Sequence, residues 1–300
     1  MAQRQTEQLH ADAKEIDLRS DLDIASLLAR GQADAAASVE QAISTIAQAG
    51  ALAANAVGNG GRLIYAAAGS SGLMALADSL ELPGTYGISS NQIVVLMAGG
   101  AEALVNMRGG PEDDGAAARE AVLALNPGPN DCLIALTASG STPYPIEAVR
   151  AARAQGAATV GISNNAGAAI FDGVDVAVHL PTPAEVIAGS TRMGAGTAQK
   201  IALNMISTIM AVRLGHVHDG YMVNVVADND KLRDRARGMV AAIAEVSVEK
   251  AGEALGLTDG AVKAAILVAK GADTDRAAQL LAQHNGFLRP ALAELAAAQT

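Results

Sequence analysis

The sequence predicts an α/β fold, a doubly wound and mostly parallel sheet flanked by helices, followed by a small all-helical C-terminal module. Three observations carry this. Short, largely apolar runs, starting at Ile64 and again at residues 92–97, 132–136, 158–162 and 174–180, alternate with helical patterns of ten or more residues. Gly-, Ser- and Thr-rich turns follow two of these runs and precede a long apolar helix further on. After the charged run 228–237, residues 239–298 read as helices broken only by turn signals at 257–260 and 271–273. The expected organisation is an N-terminal arm (1–32), a sheet domain (33–238) and a helical module (239–300).

Residues 1–30 are polar and charged, with one apolar pulse at 24–28, as expected for a short docking arm. From 33 to 57, Val39, Ala42, Ile43, Ile46 and Ala47 follow helical spacing, and Gly58-Asn59-Gly60-Gly61 ends the helix. Residues 64–87, IYAAAGSSGLMALADSLELPGTYG, then read as strand, tight Gly69-Ser70-Ser71-Gly72 loop, and an Ala/Leu/Met-rich helix that Pro83 stops. A helix start of small residues presents backbone N–H groups and hydroxyls to an anion. The strand at 92–97 leads through Gly99-Gly100 to an irregular stretch, 107–115, carrying Glu112, Asp113 and Asp114. A helix at 116–125 and a turn at 126–130 precede the strand at 132–136. The loop Ser139-Gly140-Ser141-Thr142, a helix at 145–155 and the strands at 158–162 and 174–180 follow. A third loop, Gly189-Ser190-Thr191 with Arg192 beside it, enters an apolar helix at 196–215. Ligands in parallel sheets bind at the carboxyl ends of strands. Ser70, Ser71, Ser139, Ser141, Thr142, Ser190 and Thr191 are therefore candidate contacts in a single phosphate site.

Composition narrows the partners. Of 300 residues 50% are hydrophobic but only 2% aromatic, with no Trp, so the core must be built from Ala, Val, Leu, Ile and Met. A net charge of −10 argues against a nucleic-acid partner, which would want a basic face. Any phosphorylated ligand must then be held locally, by loop amides and hydroxyls. The single Cys132 lies in an apolar run and reads as a buried structural thiol. His216 and His218 are joined by no third ligand at metal spacing, so neither a metal nor another cofactor is expected. No signal peptide is visible at the start and no uninterrupted apolar segment reaches ~18 residues, so no membrane association and a cytoplasmic location are expected.

Several of these segments together resemble one family, the N-acetylmuramic acid 6-phosphate etherases, which carry a sugar isomerase (SIS) domain and are related to the glucokinase regulatory protein. The resemblance rests on Thr6-Glu7, residues 69–87, Gly99-Gly100, Glu112-Asp113-Asp114, residues 138–144, the string AGSTRMGAGTAQK at 188–200, residues 203–208, Met222-Val223, Asn229, Lys231-Leu232 and Arg235-Ala236. It implies an SIS-type fold and cleavage of the lactyl ether at sugar carbon 3, giving N-acetylglucosamine 6-phosphate and lactate by elimination and hydration without a metal. It also implies that Glu81 stands at the family's proton-donor position and Glu112 at its second catalytic glutamate. Arg192 and Lys200 fall within the matched string and join the candidate binding residues.

The sequence departs from the family at three cations. Leu73 and Ser141 stand where the family has arginines, and Gly194 stands where lysine is common. Arginine grips carboxylates in a bidentate fashion, so the losses bear on the anionic lactyl group. Two further readings stay open: a related lyase that removes water from an unlactylated 2-acetamido sugar 6-phosphate, and a non-catalytic sugar-phosphate sensor.

Elimination needs a base for the C2 proton and an acid for the leaving oxygen, roles that two carboxyls in different environments can divide. Glu81, within Leu80-Glu81-Leu82-Pro83, reads as the acid, and Glu112, in a Gly/Asp loop, as the base, with the swapped assignment left open. Glu81 is ten residues past Ser71, about 15 Å along an unbroken helix. Either the helix breaks early or Glu81 serves a neighbouring subunit, which predicts a homodimer with shared sites.

Overall fold

Five parallel strands supply the framework: β1 (Leu63–Ala67), β2 (Ile93–Met97), β3 (Cys132–Thr137), β4 (Ala158–Ser163) and β5 (Val176–His179), in the order β2-β1-β3-β4-β5. The computed structural model describes residues 5–298. Every residue of β1 and β3 is buried, which is why these strands read as continuous apolar runs rather than alternating ones. Registers such as Leu63 opposite both Ile93 and Cys132 bring the carboxyl ends of β1, β2 and β3 level.

The chain divides into two compact units, one holding the described residues through Ser79 with Asn91–Ile209, the other Leu80–Ser90 with Met210 onward. In the first unit, α1 (Asp21–Ser38) starts on Ser20, whose hydroxyl accepts from the Asp23 amide at 3.2 Å. It passes through a 3-10 turn, Val39–Ala42, into α2 (Ile43–Gly58). The single helix expected over 33–57 is therefore two. Crossing into the second unit, α3 (Gly69–Tyr86) follows β1 directly; α4 (Gly115–Leu125) and α5 (Pro143–Ala154) flank β3; α6 (Gly194–Arg213) comes after β5. Ile64, Ala66, Leu133 and Ala135 point to one side of the sheet and pack with Ala118, Val122, Tyr144, Val149 and Ala152 of α4 and α5.

Two expectations about α3 need correction. The Gly69–Gly72 segment is the first turn of the helix rather than a separate loop. Pro83 does not stop it, because the helix runs on to Tyr86. A proline one turn from a helix end removes only a single hydrogen bond, and the Gly87 amide still closes the last turn by donating to the Pro83 carbonyl at 3.0 Å. No early break separates Glu81 from Ser71.

The second unit is helical: α7 (Asp230–Ala244), α8 (Val248–Leu257), α9 (Val262–Ala269), α10 (Thr274–Gln283) and α11 (Leu288–Ala297). Met239, Val240, Leu255, Ile266, Leu267, Leu280 and Leu288 form its core. Asn229, Ser247 and Asp273 cap α7, α8 and α10 through their side chains. Among the described residues no helix is long and apolar enough to cross a membrane.

Candidate active site

The strand order reverses between β1 and β3. After β1 the chain steps outward to β2, then returns to the other side of β1, leaving a crevice at the carboxyl ends of the two central strands. A polar hollow of about 250 Å³ lies there. It is lined by Ala68, Gly69, Ser70 and Ser71 after β1, by Leu136 to Ser139 and Thr142 after β3, by Gly189 and Thr191, and by Glu7, Met107 and Glu112. All three hydroxyl segments expected from the sequence thus meet around one space.

Each segment contributes differently. At the start of α3 the Gly72 amide returns to the Ala68 carbonyl at 3.1 Å. The amides just before it open a helix, where unsatisfied N–H groups and the macrodipole favour an anion. At α5 the first turn contains Pro143 and Pro145, which have no N–H to offer. A hydroxyl cluster replaces them: Thr137 Oγ1 lies 2.8 Å from Thr142 Oγ1 and 3.2 Å from Ser139 Oγ. Each hydroxyl can rotate to donate or accept. Ser141 stands behind this cluster, its hydroxyl donating to Ser139 Oγ at 3.3 Å, and is not part of the lining.

The third segment departs from the expectation of another anion-binding helix start. Glu185, only 5% exposed, already accepts the Gly194 amide at 2.9 Å and the Ala195 amide at 2.8 Å. A carboxylate there satisfies the donors that an external anion would have used. Gly189 and Thr191 reach the hollow from the turn before the helix instead.

Glu112 sits on a 3-10 turn, Gly110–Asp113, half-buried. Burial, with the neighbouring Asp113 charge, raises its pKa above the ordinary glutamate value. Its Oε1 lies 2.9 Å from where a β-carbon on Gly69 would project, so the carboxylate rests directly over the start of α3. Among the described residues, those that line the hollow include two carboxylates and no lysine, arginine or histidine.

The other expected residues lie elsewhere. Arg192 is exposed outside the lining, and Ser190 serves its own turn, its amide donating to Ile187 and its carbonyl accepting from Met193. Lys200 is exposed on α6 and borders a shallow apolar hollow with Ile201, Met205 and Ile209. Glu81 belongs to the second unit and is exposed, as is Leu80 beside it, in place of the apolar setting that the flanking leucines suggest. His216 and His218 are likewise in the second unit. Burial lowers the pKa of both, His216 to about 4. Among the described residues no three His, Cys, Asp or Glu side chains gather as a metal site.

Residues that sequence reasoning did not single out complete the frame. Asp78, 5% exposed, accepts from Tyr65 Oη at 2.8 Å, Asn204 Nδ2 at 2.7 Å and Ser207 Oγ at 3.0 Å, tying α3 to β1 and α6. Asn165, buried beyond β4, donates to the Ala138 carbonyl at 2.9 Å and so holds the loop after β3. No local pattern marks these residues, because their partners lie far away in sequence.

Comparison with known proteins follows the same lines. Residues 29–164 match the SIS domain family. Over 292 residues the chain is 42% identical to the N-acetylmuramic acid 6-phosphate etherase of Deinococcus radiodurans, covering 97% of this chain and 96% of that one. The etherase of Geobacillus thermodenitrificans is 38% identical over 288 residues, 96% and 98% of the two chains. In fold the chain resembles a phosphoheptose isomerase from Francisella tularensis, with a TM-score of 0.50 at 19% identity, covering 64% of this chain and 98% of that one. That likeness carries the architecture alone. With identities of 42% and 38% over nearly the whole of both chains, this chain belongs to the N-acetylmuramic acid 6-phosphate etherase family.

Proposed function

We infer that this protein is a carbon–oxygen lyase that cleaves the lactyl ether of N-acetylmuramic acid 6-phosphate, releasing N-acetylglucosamine 6-phosphate and lactate. The single observation that carries the site assignment is the hollow at the β1/β3 switch point, where a half-buried glutamate faces hydroxyl- and amide-bearing turns. The substrate comes from the near-full-length identity to etherases. Ser70, Ser71, Ser139 and Thr142, with the amides opening α3, are the proposed phosphate contacts, and Thr191 a sugar contact. Ser141 supports them through Ser139.

Chemistry follows from the free aldehyde of the ring-opened sugar, which acidifies the C2–H. Glu112 takes that proton, and its raised pKa makes it a stronger base once ionised. The C2–H electron pair forms the C2=C3 double bond as the C3–O bond breaks, and the departing lactate oxygen receives a proton from a carboxyl, proposed as Glu81. Water then adds at C3 with return of a proton to C2. Because α3 is unbroken, Glu81 lies ~15 Å along it from Ser71, beyond the span of one sugar phosphate. The proposed donor is therefore Glu81 of a second copy, in a homodimer with shared sites. A cytoplasmic location is part of the same proposal.

A second reading is favoured by one observation. Among the described residues no cation lines the hollow to pair with the lactyl carboxylate, and by the resemblance Leu73 and Ser141 stand where the family has arginines. A lyase that eliminates water from C3 of N-acetylglucosamine 6-phosphate would not need one. Separate incubations with the two sugar phosphates decide. Lactate from the first supports the etherase, whereas an unsaturated product from the second with no lactate from the first supports the alternative.

A further inference from the structure

The hollow contains a second carboxylate that the reaction as described does not use. Glu7 lines it together with Glu112, delivered by the N-terminal arm. The arm is anchored at that point. Thr6 is 1% exposed, its amide donates to Asn165 Oδ1 at 3.4 Å, and its hydroxyl accepts from Asn165 Nδ2 at 3.1 Å. Its carbonyl accepts the Gly189 amide at 3.1 Å, so the arm also holds the turn that carries Thr191. Fixing Thr6 within an otherwise polar arm costs conformational entropy, and the result is a carboxylate brought to the site. Its Oε2 lies 3.5 Å from where a β-carbon on Gly189 would sit, whereas Glu112 covers Gly69. The two carboxylates therefore occupy different walls of the hollow.

We propose that Glu7 is a substrate-binding residue that accepts a hydrogen bond from an N–H or O–H donor on the sugar, and thereby sets which way the sugar phosphate enters. The inference rests on the sugar-phosphate reading of this hollow. A carboxylate accepts hydrogen bonds and has none to give, and it repels a phosphate. It therefore excludes the anionic end of the substrate from its own wall and rewards the end rich in hydroxyl and amide donors. Glu112, over the first residue of α3, repels a phosphate in the same way, so what distinguishes the Glu7 wall is the donors it meets, and the hydroxyls and amides of the α3 and α5 turns are what hold the phosphate.

The role makes removal of Glu7 act differently on two probes. Calorimetric titration of the full chain with N-acetylglucosamine 6-phosphate and, separately, with inorganic phosphate reads both. For Glu7→Ala the sugar phosphate weakens about tenfold or more, the worth of one hydrogen bond to a charged group, while inorganic phosphate binds as tightly as before or more tightly. Glu7→Gln, which keeps the shape and one acceptor oxygen, falls between. If both probes weaken together, Glu7 acts by holding the arm in place and the proposal is overturned. If neither moves, it is overturned as well. Wild-type protein that binds neither probe would instead remove the sugar-phosphate reading of the hollow, and Glu7's role with it. Matching melting temperatures of the variants separate a binding loss from unfolding.

Discussion

Gly69→Ala tests how closely the geometry of the hollow governs its chemistry. Gly69 has φ +55° at the start of α3, a conformation that costs an L-residue ~1–2 kcal/mol. An added β-carbon would also stand 2.9 Å from Glu112 Oε1, so the carboxylate must retreat by about 0.5 Å to reach ordinary van der Waals contact. Displacement on that scale at a reacting group costs on the order of 10- to 100-fold in rate. Gly100→Ala is the control, since Gly100 has φ +62° and nothing within 4 Å of its would-be β-carbon. The two variants are expected to lose similar stability in thermal melts. Only Gly69→Ala is expected to lose turnover, measured as lactate released from N-acetylmuramic acid 6-phosphate. Equal turnover in the two variants would refute the claim that the Glu112 position over Gly69 matters to catalysis.

Further expectations follow from the same structure. Because burial raises the Glu112 pKa, the folded state binds a proton the unfolded chain has already released, so this group's contribution to stability declines as pH rises from its unfolded to its folded pKa. Glu112→Gln should therefore abolish turnover while raising the melting temperature at pH 7, and the acidic limb of the wild-type pH–rate profile should lie above 4.5, the ordinary glutamate value. Asp131 has the opposite sign. Burial alone would raise its pKa, but hydrogen bonds from the Arg62 side chain, the Gly128 amide and the Arg62 amide outweigh that and lower it. Its stabilisation is present above the unfolded aspartate pKa and lost as pH falls through the folded one; Asp131→Ala should cost about 2–3 kcal/mol at pH 7 in urea denaturation. Glu185→Ala, leaving the Gly194 and Ala195 amides without their acceptor, should cost about 2 kcal/mol, with Glu185→Gln milder. Mixing Glu81→Ala with Glu112→Gln protein under subunit exchange should restore about a quarter of wild-type turnover in a two-fold dimer with shared sites; no rescue would mean that Glu81 does not act across subunits.

How much of this was legible depended on sequence distance. β1 and β3 could be read because strands buried on both faces leave uninterrupted apolar runs. The hydroxyl turns could be read because a turn and its ligand groups are local. The Glu185 cap could not, since it arrives from nine residues upstream instead of from the residue before α6. The 3-10 turn at Val39–Ala42 left no mark because its residues keep helical apolar spacing. Pro83 misled because a proline near a helix end costs far less than one at its centre. Thr6 and Asn165 meet across 159 positions, so composition suggested a docking arm but not where it docks. The buried Asp78, which unites Tyr65, Asn204 and Ser207, had no local signature either.

Reaction of wild-type enzyme with N-acetylmuramic acid 6-phosphate in deuterium oxide, followed by proton NMR, tests the central claim most directly. The account predicts stoichiometric lactate and an N-acetylglucosamine 6-phosphate whose C2 position carries deuterium, because the proton removed by Glu112 is replaced from solvent during hydration. Lactate released with the original C2 proton retained, or no lactate at all, would contradict it.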